Sequence, residues 1–313
     1  MKGAINDSGA QGLAGRRIEI IAPSGAHLSL AEFDQARAWF ESRGVQLTCE
    51  VPRTGWQRFS APDDDRLAAI HRAASRAPAL DAVMITRGGY GLSRLIDRIN
   101  WPLIAASVAQ GTRWIGYSDF TAFQLALFAQ TGAISYAGPS FSADFSGEGP
   151  GQFTHDQFMA LFGAGPAPVR WRFAGKKPLD LQGVLWGGNL AMVASLVGTP
   201  WLPSIEGGLL FVEDVGEHPY RLERMLHQLF HAGVLGMQRA LLLGDFTGWK
   251  LAPHDRGYGL EAMIDYWRAR LDIPIITGLP FGHGDARATL AVGARHRLRA
   301  EAGFALLERL GDA

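Results

Sequence analysis

Ser118 stands in RWIGYSDFTAFQLALFAQTG, residues 113–132, at the turn between an apolar strand and an apolar helix. Two readings are open for a serine so placed. It caps the helix through its side chain, or a tight turn exposes it as a nucleophile whose oxyanion would face the amides of a helix N-terminus. Phe120 occupies the second position after it, so the pattern is not G-x-S-x-G and an ordinary α/β-hydrolase is set aside.

Other residues able to do chemistry also fall where strands end. TRGGYG, residues 86–91, follows an apolar run, and its adjacent glycines let backbone N–H groups approach an anion. Arg94 stands where the dinucleotide fingerprint needs a small residue, so that fingerprint fails. A tight strand-to-helix turn explains the glycines equally well. LLFVEDV brings Glu213 and Asp214 to a strand end, where desolvating carboxylates is costly unless they have a task, a salt bridge or a cap. GLPFGHGD puts His283 in a glycine-flanked loop, free to orient as a general base or to serve as a surface histidine. HQLFH spaces His227 and His231 as a zinc-peptidase pair, but Gln228 replaces the glutamate of H-E-x-x-H, and the zinc mechanism loses its base.

These residues need elements to hold them. RIEIIAP, VQLTCEVP, LDAVMIT and RWIGYS read as strands. They alternate with helices SLAEFDQARAWFESRG, SAPDDDRLAAIHRAASRAP, LSRLIDRI and DFTAFQLALFAQTG. That alternation predicts βαβ units and a parallel sheet with ligands at its carboxyl edge. Gly- and Pro-rich stretches around a short helix, THDQFMALF, mark a boundary. Beyond it, strand and helix alternate again, and ATLAVGARHRLRAEAGFALLERL reads as antiparallel strands. The expected architecture is α/β: an N-terminal Rossmann-like parallel sheet with helices, then a second α/β domain with a mixed sheet, and the active site in the cleft between them. The expected divisions are a loose tail over residues 1–15, a nucleophile domain over 16–145, a linker over 146–180, and a domain carrying acid and base over 181–313.

At 313 residues, 47% of them hydrophobic, the chain can bury the cores of two ordinary domains. Basic and acidic residues balance at 30 each without a basic block, which argues against a nucleic-acid partner. The lone cysteine, Cys49, excludes a disulfide framework and reads as a small hydrophobe near a strand end. No run reaches the roughly 18–20 apolar residues of a membrane span, and MKGAINDSGAQGLAGRR lacks the apolar core of a secretory signal. A cytoplasmic protein is expected.

Taken in order, DDDRLAAIHRA, TRGGYGLSRLID, IGYSDFTAF, GP at 138–139, GVLWGGNL, FVEDVGEHPYRLERML, GDF and GLPFGHGD resemble the LD-carboxypeptidase family of serine peptidases, which includes microcin C self-immunity hydrolases. The resemblance runs from IIAPSG to about VGARHRL. It implies a metal-independent enzyme with a Ser-Glu-His triad: Ser118 as nucleophile, His283 as general base, and Glu213 holding the imidazole. It implies oxyanion donors at the backbone N–H groups of Gly89 and Asp119. No metal or other cofactor is implied. The implied substrate is a murein tetrapeptide that loses its terminal D-alanine in cell-wall recycling, and the implied assembly is a homodimer. Arg87, Asn189 and Glu217 are candidates for holding the substrate's charged groups. Trp186 is a candidate for stacking on a flat group, or else an interior aromatic. The nearest alternative is a related serine peptidase that cleaves a peptidyl nucleotide, as the microcin-type members do, or another acyl-amide substrate, and stacking would suit the nucleotide. Family members often carry histidine before the GP, where this chain has Ala137. A non-catalytic anion-binding protein built on RGGYG is the alternative from another class, and it leaves Glu213 and His283 without a purpose.

Overall fold

The computed structural model describes residues 12–26, 29–147, 151–175, 177–301 and 303–311. Along the chain come β1 (Arg17–Ile21), α1 (Leu30–Glu41), β2 (Gln46–Cys49), α2 (Asp63–Ser75), β3 (Ala82–Ile85), α3 (Trp101–Ala109), β4 (Arg113–Gly116), α4 (Thr121–Thr131), β5 (Ser135–Ala137), α5 (Phe141–Phe145) and α6 (Gln152–Ala160). Then follow β6 (Val169–Arg172), β7 (Leu179–Asn189), α7 (Leu190–Ser195), β8 (Leu209–Val215), α8 (Pro219–His231), β9 (Ala240–Thr247), α9 (Leu260–Arg270), β10 (Ile275–Thr277), β11 (Leu290–Val292), β12 (Arg295–Glu301) and β13 (Phe304–Arg309).

The chain divides into two compact units. The first takes the residues up to Asp119, Ser135–Ala167 and Arg287–Leu290; the second takes Phe120–Ile134, Pro168–Ala286 and Ala291 onward. The first unit's sheet has the order β11-β5-β4-β3-β1-β2, and the pairs from β2 through to β5 are parallel. That is the parallel pairing expected of βαβ units, which need crossovers and bury strands on both faces. β3 shows it, with all of Ala82–Ile85 buried. On one face an aromatic cluster forms where Phe40 meets Phe141, Phe145 and Phe158.

Residues 1–11 of the expected tail lie outside the described residues, but Leu13 is buried in this same core. The expected linker also contributes Phe158, Leu161 and Phe162 to it. LSRLIDRI is not a helix: one 3-10 turn covers Leu92–Arg94. The helix of that crossover is α3, started by Asn100, whose side chain accepts from Leu103 N–H at 3.2 Å. Pro102 sits in its first turn, where no amide donor is missed.

The second unit's sheet is mixed, in the order β10-β9-β8-β7-β12-β13-β6. β7 to β10 pair in parallel, whereas β12 is antiparallel to both β7 and β13, and β13 to β6. α4 belongs to this unit although it follows β4. Its residues from Thr121 to Leu127 are all buried, the polar Thr121 and Gln124 among them. Gly188, at φ +137°, passes so close to the Thr121 side chain that no Cβ would fit. Among the described residues no helix is long and apolar enough to cross a membrane.

Candidate active site

In the first unit the site is shaped by backbone. Ser118 follows β4 by one residue and has φ +62°, in the left-handed region that residues with a Cβ seldom occupy. Such a conformation costs about 1–3 kcal/mol and persists where the surroundings enforce it. Ser118 does not cap α4, whose N-cap is Phe120 with no side-chain hydrogen bond. The side-chain cap that the sequence offered as one reading is therefore not made, and Ser118 stands partly exposed in the turn before α4. Gly88 lies against it: a Cβ there would come 2.6 Å from Ser118 Cβ, 2.9 Å from its Oγ and 3.2 Å from the Asp119 nitrogen. Gly89 beside it has φ +84°. Burial pushes the Asp119 carboxyl above its ordinary value, while the N–H groups of Asp119 and Gly89, the Ser118 hydroxyl and Arg87 favour its ionised form.

Two arginines tie the loops here. Arg87 Nη1 donates to Ala26 O at 3.2 Å and lies against Gly25 and Gly89. Arg66, 1% exposed, is a loop-tying residue that the sequence reading does not single out. Its Nη1 donates to Pro23 O at 2.6 Å and Gly91 O at 3.1 Å, joining the loop after β1 to the glycine loop after β3. The signal was available, since an arginine four residues before Ile70 shares the buried face of α2.

In the second unit the site is shaped by side chains. Glu213 and Asp214 are consecutive on β8, and both are buried. Regular strand would send them to opposite faces, but the ladder with β9 shifts register between Val212 and Asp214, which re-aims them. Glu213 Oε2 meets His283 Nδ1 at 2.7 Å. Asn189 Nδ2 donates to Glu213 Oε1 at 3.3 Å and to Asp214 Oδ1 at 3.0 Å. Asp214 also accepts the N–H groups of Ala191 at 2.9 Å and Val215 at 2.8 Å. Burial nevertheless raises its carboxyl to about 6, and the nearby charge of Glu213 adds to that. The side chain of His283 is 20% exposed against 0% for Glu213, a dry carboxyl group behind a partly open imidazole. Gly282, at φ +136°, lets the loop close down: a Cβ there would lie 3.0 Å from those of both Glu213 and Asp245.

Three expected substrate contacts are otherwise engaged. Asn189 is 6% exposed, its amide donating to the two carboxylates and its Oδ1 capping α7 through Met192 N–H. Trp186 is 0% exposed and its Nε1 donates to Gln238 Oε1 at 2.9 Å, so it is an interior aromatic and not a stacking platform. Glu217 pairs with Arg221 one turn along the chain. His227 and His231 stack at 5.5 Å, with His227 also against Trp267 at 4.7 Å. Among the described residues no three His, Cys, Asp or Glu side chains gather as a metal site.

Residues 18–138 match the LD-carboxypeptidase N-terminal domain, and residues 182–298 match the LD-carboxypeptidase C-terminal domain. This chain belongs to the LD-carboxypeptidase family. A muramoyltetrapeptide carboxypeptidase from Oxalobacter formigenes superposes with a TM-score of 0.87 at 41% identity, covering 95% of this chain and 99% of its own. A murein tetrapeptide carboxypeptidase of Pseudomonas aeruginosa is 32% identical over 86% of this chain and 88% of its own. The microcin C7 self-immunity protein of Escherichia coli is 26% identical over 70% of this chain and 71% of its own. The protein is thus a serine-type LD-carboxypeptidase, and its two matched domains are the two α/β parts that the sequence predicts.

Proposed function

We propose that this LD-carboxypeptidase removes the terminal D-alanine of a murein tetrapeptide through Ser118, His283 and Glu213. The observation that carries the reading is the 2.7 Å contact between Glu213 and His283 Nδ1. A carboxylate there keeps the proton on Nδ1, leaves Nε2 as the basic nitrogen, and stabilises the imidazolium as it forms. Nε2 takes the Ser118 proton as Oγ attacks the scissile carbonyl. By the family resemblance the oxyanion is received by the N–H groups of Gly89 and Asp119, which in the free protein face the Asp119 carboxyl and turn from it on substrate binding, each such donor being worth about 2.7–4 kcal/mol. His283 then protonates the amine of the departing D-alanine and activates the water that frees the acyl-enzyme. The names of the Oxalobacter and Pseudomonas relatives support the murein peptide as substrate. The peptidyl-nucleotide alternative loses its sequence argument, because Trp186 is interior.

The test is D-alanine release from murein tetrapeptide by the native protein, by Ser118→Ala, and by the native protein with chelator. Release should survive chelator and fall on the order of 10⁴–10⁶-fold in Ser118→Ala. Loss with chelator would transfer the chemistry to a metal. Release undiminished in Ser118→Ala would remove the nucleophile.

A further inference from the structure

The first unit holds two buried charges that this chemistry leaves unused. Arg287 is 3% exposed, Asp144 is 1% exposed, and the two are ion-paired. Asp144 is gripped from its other oxygen, which accepts the Ser140 N–H at 2.7 Å and the Ser140 hydroxyl at 3.2 Å. The backbone of Arg287 is fixed too, its N–H donating to Thr154 Oγ1 at 2.9 Å. The clamped guanidinium then lies over the ring of Tyr117, its carbon 3.8 Å from the ring centroid. Tyr117 is buried and directly precedes Ser118.

A buried ion pair is a poor source of stability, because desolvation offsets much of the attraction and apolar residues of similar volume often serve as well. Its place against the residue before the nucleophile gives it a different task. We propose that the Arg287–Asp144 pair is a positioning device: it pins Tyr117 and thereby holds Ser118 in its left-handed conformation beside Gly88. Arginine suits this and lysine does not, since only a planar guanidinium can fork to a carboxylate and also stack on an aromatic face. The proposal rests on Ser118 being the nucleophile.

The experiment compares the native protein with Arg287→Met/Asp144→Leu, which leaves no buried charge unpaired, and with Arg287→Lys, which keeps the charge. It measures kcat, KM, melting temperature and the rate at which a fluorophosphonate labels Ser118. Both variants should lose about 10–100-fold in kcat and in labelling rate, as small misplacements do. KM should stay within about twofold, and the double variant should melt no lower than native. Native kcat and labelling in the folded double variant would overturn the proposal, as would a fall in kcat and melting temperature together with a rise in KM. Should the double variant fail to fold, Arg287→Lys decides: slowed labelling at native melting temperature supports the device, and native labelling overturns it. Labelling that persists in Ser118→Ala would instead overturn the nucleophile assignment, a separate failure.

Discussion

The two units surround the proposed nucleophile and the proposed base by different means. Around Ser118 the work is done by the main chain: a left-handed serine, a glycine in contact with it and a second glycine at positive φ. Around His283 it is done by buried charge: Glu213 on the imidazole, and Asn189 between Glu213 and Asp214. The difference follows from what each residue must become. A serine hydroxyl is activated by the base it meets, so what its own surroundings supply is exposure and aim. An imidazole must present one chosen nitrogen and carry a positive charge briefly, which calls for a fixed carboxylate. The first arrangement is therefore vulnerable to an added methyl group, and the second to a charge removed at constant shape.

Glu213→Gln tests the second vulnerability with the largest expected effect. The amide keeps the volume but favours the wrong tautomer, so kcat should fall about 10⁴-fold. Melting temperature should hold, because Gln can still accept from Asn189 and one buried charge beside Asp214 is gone. A loss below about tenfold would show that Glu213 does not orient the base. Gly88→Ala tests the first vulnerability. Its Cβ would arrive 2.6 Å from Ser118 Cβ, and both atoms sit on main chain that has no flexible end to yield. A fall in kcat of about 10–100-fold is expected, with the Glu213–His283 hydrogen bond unchanged by NMR. Native turnover in Gly88→Ala would break the comparison, since the nucleophile would then tolerate backbone displacement.

What is legible in sequence is what strand patterns and adjacent residues encode. Ser118, Glu213 and His283 can each be singled out because each follows an apolar run, and the parallel pairing of β1 to β4 follows from alternation, whereas their order in the sheet and the short β5 do not. What depends on distant partners is not legible. Nothing local tells that Asp144 and Arg287, 143 residues apart, are paired, nor that Trp186 is interior, since its partner Gln238 lies 52 residues on. Asn189 reads as a free polar side chain until the bulge in β8 turns two carboxylates toward it. α4 follows β4 in sequence but groups with the other unit, and every residue of its first two turns is buried, the polar Thr121 and Gln124 included. The pattern shows that burial is complete without showing what provides it.

The smallest expected effect concerns Asp214, and it sharpens what buried charge means in the second unit. Its carboxyl moves from an ordinary 3.8 to about 6, chiefly through burial. Between those values the folded protein holds a proton that the unfolded chain has released. The stability associated with that proton is fully present below about 3.8 and is lost as pH rises through about 6. The loss amounts to at most about 3 kcal/mol by pH 7, because each tenfold change in proton affinity is worth about 1.4 kcal/mol. Buried His296, lowered to about 4, pulls in the opposite sense, so the native profile alone would mix the two. Asp214→Asn isolates the acid, because His296 is common to both proteins. Urea unfolding at pH 4 and pH 7 should show the variant gaining on native as pH rises, by about one to three kcal/mol. A difference independent of pH would mean that Asp214 does not hold the extra proton. The expected result leaves Asp214 protonated over the acidic range, with Glu213 the carboxylate that faces His283.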